Sequence, residues 1–150
     1  MTILNTFFDL PFETHRFEKL NGVSVMIKYQ GEEFIGVAVC HSDDEEFFSP
    51  IVGIHLAHLR AVRKMCAYYR DFHYNTYATL CKECCDAKQK FGDNEVFDYM
   101  IEKAKKRFKR YQNYTKQMDA EINNYIQNQK KVISSLRSQR KAKLEQENKE

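Results

Sequence analysis

The sequence predicts an α+β fold: an N-terminal antiparallel β-hairpin of two or three strands packed on a long antiparallel two-helix coiled-coil hairpin. Three observations carry this expectation. A repeat with alternating steps of four and three runs through Phe97, Ile101, Ala104, Phe108, Tyr111, Thr115, Met118, Ile122, Tyr125, Gln129, Val132 and Leu136, and ten of these twelve positions suit an apolar seam. A second stripe starts at Val52 and is separated from the first by Gly92. Upstream, two runs rich in Val and Ile flank Gln30-Gly31. Five Gly, two Pro and 30% charged residues in a chain of 150 also suit helices better than a barrel or sandwich.

The elements follow in chain order. Residues 1–16 hold an apolar arm, Phe7-Phe8-Asp9-Leu10-Pro11-Phe12, in which Pro11 disfavours a continuous helix. It reads as a docking segment or a short strand covering a sheet edge. Phe17–Tyr29 and Phe34–Cys40 read as the two strands of a hairpin around Gly31, and Asn21-Gly22 offers a turn or bulge that would create a third short strand. Ser42-Asp43-Asp44-Glu45-Glu46 links strand to helix as a solvated acidic run near the positive end of the helix dipole. Ser49 is the expected N-cap, its side chain accepting a backbone N–H, with Pro50 in the first turn.

From Ile51 to Phe91 the stripe Val52, Leu56, Leu59, Arg63, Cys66, Arg70, His73, Tyr77, Leu80, Cys84, Ala87 and Phe91 predicts one helix. Val62, Met65, Tyr69 and Phe72 widen its apolar face, which places the sheet there. Gly92 closes this helix in a left-handed conformation, and Asp93 or Asn94 caps the next, so the two helices are antiparallel neighbours. Lengths of about 60 and 75 Å follow from a rise of about 1.5 Å per residue. Leu136 then falls near the start of the first helix. The organisation expected is arm and hairpin over 1–50, helical hairpin over 51–136, and a basic helical overhang or frayed tail over 137–150.

Charge is segregated. Nine acids face three bases in residues 1–50, a net −6 that leaves +9 for the remainder of a chain whose total is +3. Such asymmetry suits contact with a polyanion or with a protein that handles one. Lys103, Lys105, Lys106, Arg107, Lys109 and Arg110 place six cations in eight residues. Lys130, Lys131, Arg137, Arg140, Lys141 and Lys143 form a second cluster with no intervening acid. Phosphate backbones attract such surfaces through counterion release. Tyr68, Tyr74, Tyr99 and Tyr114, off the seam, could supply stacking or interface anchors. Polyanion contact, a protein interface and plain solubility are the three readings of these tracts.

Five cysteines, an odd number without secretory context, argue for reduced thiols or metal rather than disulfides. Cys81-Lys82-Glu83-Cys84-Cys85 contains a Cys-x-x-Cys spacing that could supply two zinc ligands, with Cys66, His73 or Cys40-His41 as the other source. Packing of buried thiols on a helix face is the favoured reading, ahead of metal and of redox chemistry. His55 and His58 stand three apart, a helical spacing that can place two imidazoles on one metal, but no Glu completes a His-Glu-x-x-His motif, and packing or solvent exposure is the favoured reading. Phosphate-cradling glycine loops and triad signatures are absent from the sequence, so no enzymatic activity and no cofactor are expected. The opening residues lack the basic region of a secretory signal, and no run approaches about 18 uninterrupted apolar residues. A cytoplasmic protein with no membrane association is expected.

Phe34-Ile35-Gly36-Val37-Ala38-Val39-Cys40-His41-Ser42-Asp43-Asp44, continuing through Ser49-Pro50-Ile51-Val52-Gly53-Ile54-His55-Leu56-Ala57-His58-Leu59-Arg60-Ala61, resembles a group of small proteins from phages and mobile elements of Gram-positive bacteria. These share a strand with a Gly-x-Ala-x-Cys pattern, an acidic turn, and a helix opening that ends in Arg-Ala. Ser42 stands where a proline is common. The resemblance implies a phage accessory protein acting in the host cytoplasm, in a class that includes anti-CRISPR inhibitors. On this reading the chain is a non-enzymatic binding protein that blocks a host protein or ribonucleoprotein complex, specifically an RNA-guided nuclease. Arg107, Lys109, Arg110, Arg137, Arg140 and Lys141 would be its contacts. The alternatives are a direct DNA- or RNA-binding protein, dimeric through its helices, and a zinc- or thiol-dependent factor.

Overall fold

The computed structural model describes residues 7–47 and 49–149. Residues 1–6, the beginning of the expected arm and of the opening segment, lie outside the described residues. The α+β architecture is as expected: a three-stranded antiparallel sheet followed by two long helices packed against each other. Strands β1 (Phe12–Phe17), β2 (Gly22–Tyr29) and β3 (Glu32–Val39) lie in the order β1-β2-β3. Helix α1 (Pro50–Phe91) and helix α2 (Glu95–Glu147) have 42 and 53 residues. At about 1.5 Å per residue they extend about 63 and 80 Å.

Both readings of the arm hold. Phe7 is buried in the core, Phe8 and Leu10 pack against it, and the chain after Pro11 forms β1 along the edge of β2. Asn21, at φ 44°, turns the chain from β1 into β2, so Phe17 belongs to the first strand and not to the second. The β2–β3 hairpin closes through Gln30 and Gly31, at φ 50° and 83°. Positive φ at both central positions matches the right-handed twist of the flanking strands.

The sheet lies on the first half of α1. Val23, Val25 and Ile27 of β2 and Phe34 and Ala38 of β3 meet Ala57, Ala61, Val62, Met65 and Tyr69, and Met118 of α2 closes the core. Full burial of a side chain such as Ile27, Leu59 or Met65 contributes roughly 1.5–3 kcal/mol. Gly36 permits the closest approach. A Cβ there would overlap the Ala57 carbonyl and lie 2.5 Å from the Ala61 nitrogen.

Phe72, expected under the sheet, is 55% exposed because the sheet ends at the Gln30-Gly31 turn, level with Tyr69, whose hydroxyl donates to the Tyr29 carbonyl. Beyond that level the two helices cover only each other, and Cys84 and Ala104 are the buried residues of the outer part of this hairpin. Arg63 bonds Asp119 across the seam at 2.7 Å, and His73 stacks on Tyr111 at 5.2 Å. Arg63 and His73 of the stripe thus have partners on α2, whereas Arg70 pairs with Asp71 of its own helix at 2.8 Å. Gly92 (φ 85°) ends α1, its N–H donating to the Lys88 carbonyl, and the Asn94 side chain accepts from Val96 N to begin α2. Phe91, counted in the stripe, is 83% exposed at this turn.

Two expectations at the start of α1 are corrected. Ser49 occupies the N-cap in extended conformation with Pro50 after it, but its side chain makes no capping hydrogen bond. Its backbone carbonyl accepts from Gly53 N at 3.0 Å, so the cap works through the main chain and the fixed φ of Pro50. The acidic run is not merely solvated. Ser42–Phe47 forms a 3-10 turn that Asp44 and Glu46 tie to Arg137 and Arg140 of α2. Arg137 also donates to the Asp43 carbonyl at 2.8 Å and lies 5.8 Å from the Phe47 ring centroid. The overhang therefore begins after Arg140 rather than after Leu136, and it is helical through Glu147. Among the described residues, no helix is long and apolar enough to cross a membrane.

Candidate nucleic-acid interface

The inner side of α2 is set by Ala104, Thr115 and Met118, which are buried against α1. Helical spacing then distributes the cations of residues 103–110. Lys103, Lys106, Arg107 and Arg110 stand at i, i+3, i+4 and i+7 and share one flank, while Lys105 and Lys109 fall on the other. All are exposed except Lys105, which is partly buried. Among the described residues none of the six forms an ion pair.

Tyr99, 65% exposed, extends the first flank by one turn, and Lys103 Nζ lies 5.9 Å from its ring centroid. His73 of α1 forms the floor beside this flank, stacked on Tyr111. Burial, and then the positive charges of Arg107 and Arg110, lower the His73 pKa from its usual value. The two guanidiniums therefore concentrate positive potential at the groove between the helices. A phosphate group would meet cations beside an imidazole there.

The other expected contacts lie elsewhere. Arg137 and Arg140 are engaged with the acidic turn some 93 residues earlier in the chain. Lys130, Lys131, Lys141 and Lys143 are exposed along the last third of α2, a separate surface from the 103–110 flank. Tyr114 is not a free stacking platform: Phe7 and Tyr111 meet its ring edge-on at 5.8 and 5.6 Å. Tyr74 packs 5.2 Å from Phe108, and Tyr68 lies 5.5 Å from Phe34.

The cysteines are dispersed. Cys84 is buried as the packing reading expects, Cys81 is partly buried and Cys85 is exposed. Cys66 lies 15 residues before Cys81 on the same helix, about 22 Å away. Among the described residues no group of three or more His, Cys, Asp or Glu is placed to hold a metal ion. Burial pushes the Cys66 thiol up to about 12. Burial and the nearby Asp44 and Glu45 also raise Cys40. Both are thereby held as thiols rather than thiolates, the form that nucleophilic chemistry needs.

The sequence reading missed the Arg137–Asp44 and Arg140–Glu46 clasp. Its signal was the opposite charge of two segments that the fold-back at Gly92 brings to the same end. His58 is packed, as the favoured reading of the His55/His58 pair allows: it is 5% exposed, with the rings of Phe8 and Phe12 each 4.5 Å away. Its Nε2 has no hydrogen-bond partner, and burial followed by the charge of His55 lowers its pKa. Comparison with protein-family models, with curated proteins and with solved structures finds no match for this chain.

Proposed function

We propose that this protein acts by binding, not by catalysis. The flank of α2 formed by Lys103, Lys106, Arg107 and Arg110 engages phosphate backbone carried by a nucleic-acid-handling complex of the host, and the projecting helical hairpin then obstructs that complex. The observation that carries the reading is the contrast between the arginines of the two basic clusters: Arg137 and Arg140 are engaged by internal acids, whereas Arg107 and Arg110, with Lys103 and Lys106 on the same flank, are exposed and form no ion pair among the described residues. An exposed cationic helix flank with an adjacent ring suits backbone contact with little base preference.

The resemblance of the β3–turn–α1 segment to phage accessory proteins supports a defence complex as the target, with an RNA-guided nuclease of the host cytoplasm as the specific member. The second reading, direct binding to DNA or RNA, draws on the same flank, with Tyr99 as its stacking ring.

The test is fluorescence anisotropy with the protein against a single-stranded RNA, a DNA duplex and an assembled guide–nuclease complex, with and without Lys103→Glu, Arg107→Glu and Arg110→Glu. Four phosphate contacts correspond to a log–log salt slope of about −3.6 on duplex, and roughly 100-fold weaker binding between about 50 and 200 mM salt. Binding to the complex but not to free nucleic acid selects the inhibitor. Binding to free nucleic acid alone selects the second reading. Unchanged affinity in the triple variant rejects both.

A further inference from the structure

An antiparallel sheet backed on one side by helices normally turns a polar face outward. This one does not. The pairing register places three cross-strand rows on the outer face: Phe17, Gly22 and Val39; His15, Ser24 and Val37; Glu13, Met26 and Ile35. Ile35, Val37 and Val39 are 46%, 40% and 55% exposed. Phe34, Gly36 and Ala38 of the same strand point to α1 and are buried. A strand that is apolar on both sides is the pattern of a strand buried on both sides.

We infer that a second copy of this chain covers this face, forming a two-fold symmetric dimer in which two sheets stack outer face to outer face with the helices outside. Three observations favour a second copy over another partner. The first is charge. On this face the middle strand β2 shows the uncharged Gly22, Ser24 and Met26, β3 adds Ile35, Val37 and Val39, and the charged groups, Glu13 and the Lys28–Glu33 pair at 3.4 Å, stand toward one end. Both the acidic turn and the basic flank of α2 lie off this face. A strongly charged partner would find nothing to pair with at its centre, whereas an identical neutral face fits without like-charge repulsion.

The second observation concerns the edge of the sheet. Arg60 Nη1 donates to the Val37 carbonyl at 2.7 Å, so the outward-pointing acceptor in the middle of β3 is already occupied. Addition of a strand to this edge would have to displace that bond. On the β3 side, where the exposed apolar residues stand, the flat face is therefore the more open contact.

The third is area. Strands of six to eight residues give a flat footprint of about 14 by 25 Å from the usual strand spacing and rise. That is about 350 Å² of flat area per copy, which even with side-chain relief lies below the roughly 800 Å² per partner of a standard interface and suits a weak, transient dimer. The dimer should therefore be reversible, with a dissociation constant in the micromolar range. Stacked sheets lie about 10 Å apart, which leaves room for Ile35, Val37 and Val39 of each copy to interdigitate with those of the other.

Sedimentation equilibrium of the full chain from about 1 to 200 µM tests this directly, since that range brackets the expected constant. The wild type should move from 17.9 kDa toward twice that mass. Val37→Glu, on the solvent side of the sheet, should weaken association at least 100-fold with an unchanged far-UV circular dichroism spectrum. If Val37→Glu unfolds, the milder pair Ile35→Thr and Val39→Thr should weaken it at least 10-fold. A wild type that stays monomeric throughout overturns the inference, and so does a dimer that a folded variant at these positions leaves intact.

Discussion

Gly36→Ala should be among the most damaging single-methyl additions in this protein. Its Cβ would overlap the Ala57 carbonyl oxygen, approach the Ala61 nitrogen to 2.5 Å and the Ala57 carbonyl carbon to 2.9 Å. All three are helix backbone, which cannot rotate aside as a flexible side chain would. Strand β3 and α1 must then separate by about 1 Å, and the contacts among Phe34, Ala38, Ala57 and Ala61 lose much of their dispersion energy over such a gap. Overpacking ordinarily costs about 1–3 kcal/mol, and an immovable neighbour places this substitution at about 3 kcal/mol or above. With a urea m-value of about 2 kcal/mol/M, the midpoint followed by far-UV circular dichroism should fall by about 1.5 M. Gly31→Ala supplies the control, because Gly31 has φ 83° and open space around a Cβ. Its cost is backbone strain alone, about 1 kcal/mol, or about 0.5 M in midpoint. The reasoning fails if Gly36→Ala shifts the midpoint no further than Gly31→Ala does.

Other expected outcomes bear on the clasp and the buried imidazole. A double-mutant cycle on Arg137→Ala and Asp44→Ala should return a coupling of about 0.5–1 kcal/mol, because both groups are partly exposed; zero coupling would remove the clasp as a tether. Hydrogen exchange over residues 42–47 should accelerate in Arg137→Ala, and unaltered protection would count against the same claim. His58→Phe should stabilise the fold by about 1 kcal/mol at neutral pH, since it removes an unpartnered buried nitrogen. Because burial lowers the His58 pKa in the fold, the unfolded chain binds more protons once pH falls below about 6.5, so the stability contribution is complete above that pH and declines below it. The urea midpoint should drop from pH 7 to pH 5, and less steeply in His58→Phe; identical pH profiles would show that His58 is not responsible. His73, also lowered, acts in the same direction and should account for part of the remaining slope.

The helices were legible in the sequence because their determinants are local and repeated. From Phe97 through Gln129, every position of the seam is buried or partly buried, Gly92 takes the positive φ that ends the first helix, and the Asn94 side chain caps the second. The sheet was legible from Gln30-Gly31 and from Val/Ile enrichment, although the assignment of Phe17 depended on a positive φ at Asn21 that many residue types could have refused. What escaped depended on contacts between distant segments. The cations at Arg137 and Arg140 look identical in sequence to those at Arg107 and Arg110, and only the fold-back decides which pair meets Asp44 and Glu46. Tyr114 looked free because it is off the seam of its own helix, yet Phe7 of the arm comes across to meet it.

The position of Met118 has a consequence for biosynthesis. The chain emerges from the ribosome N-terminus first, so the strands and the first rod are complete while the side chain that seals their shared interior has yet to be made. At roughly 5–20 residues per second, the nascent protein spends seconds with its greasy groove uncovered. Premature termination anywhere before the returning rod passes that groove would leave a sticky fragment, not a smaller working protein.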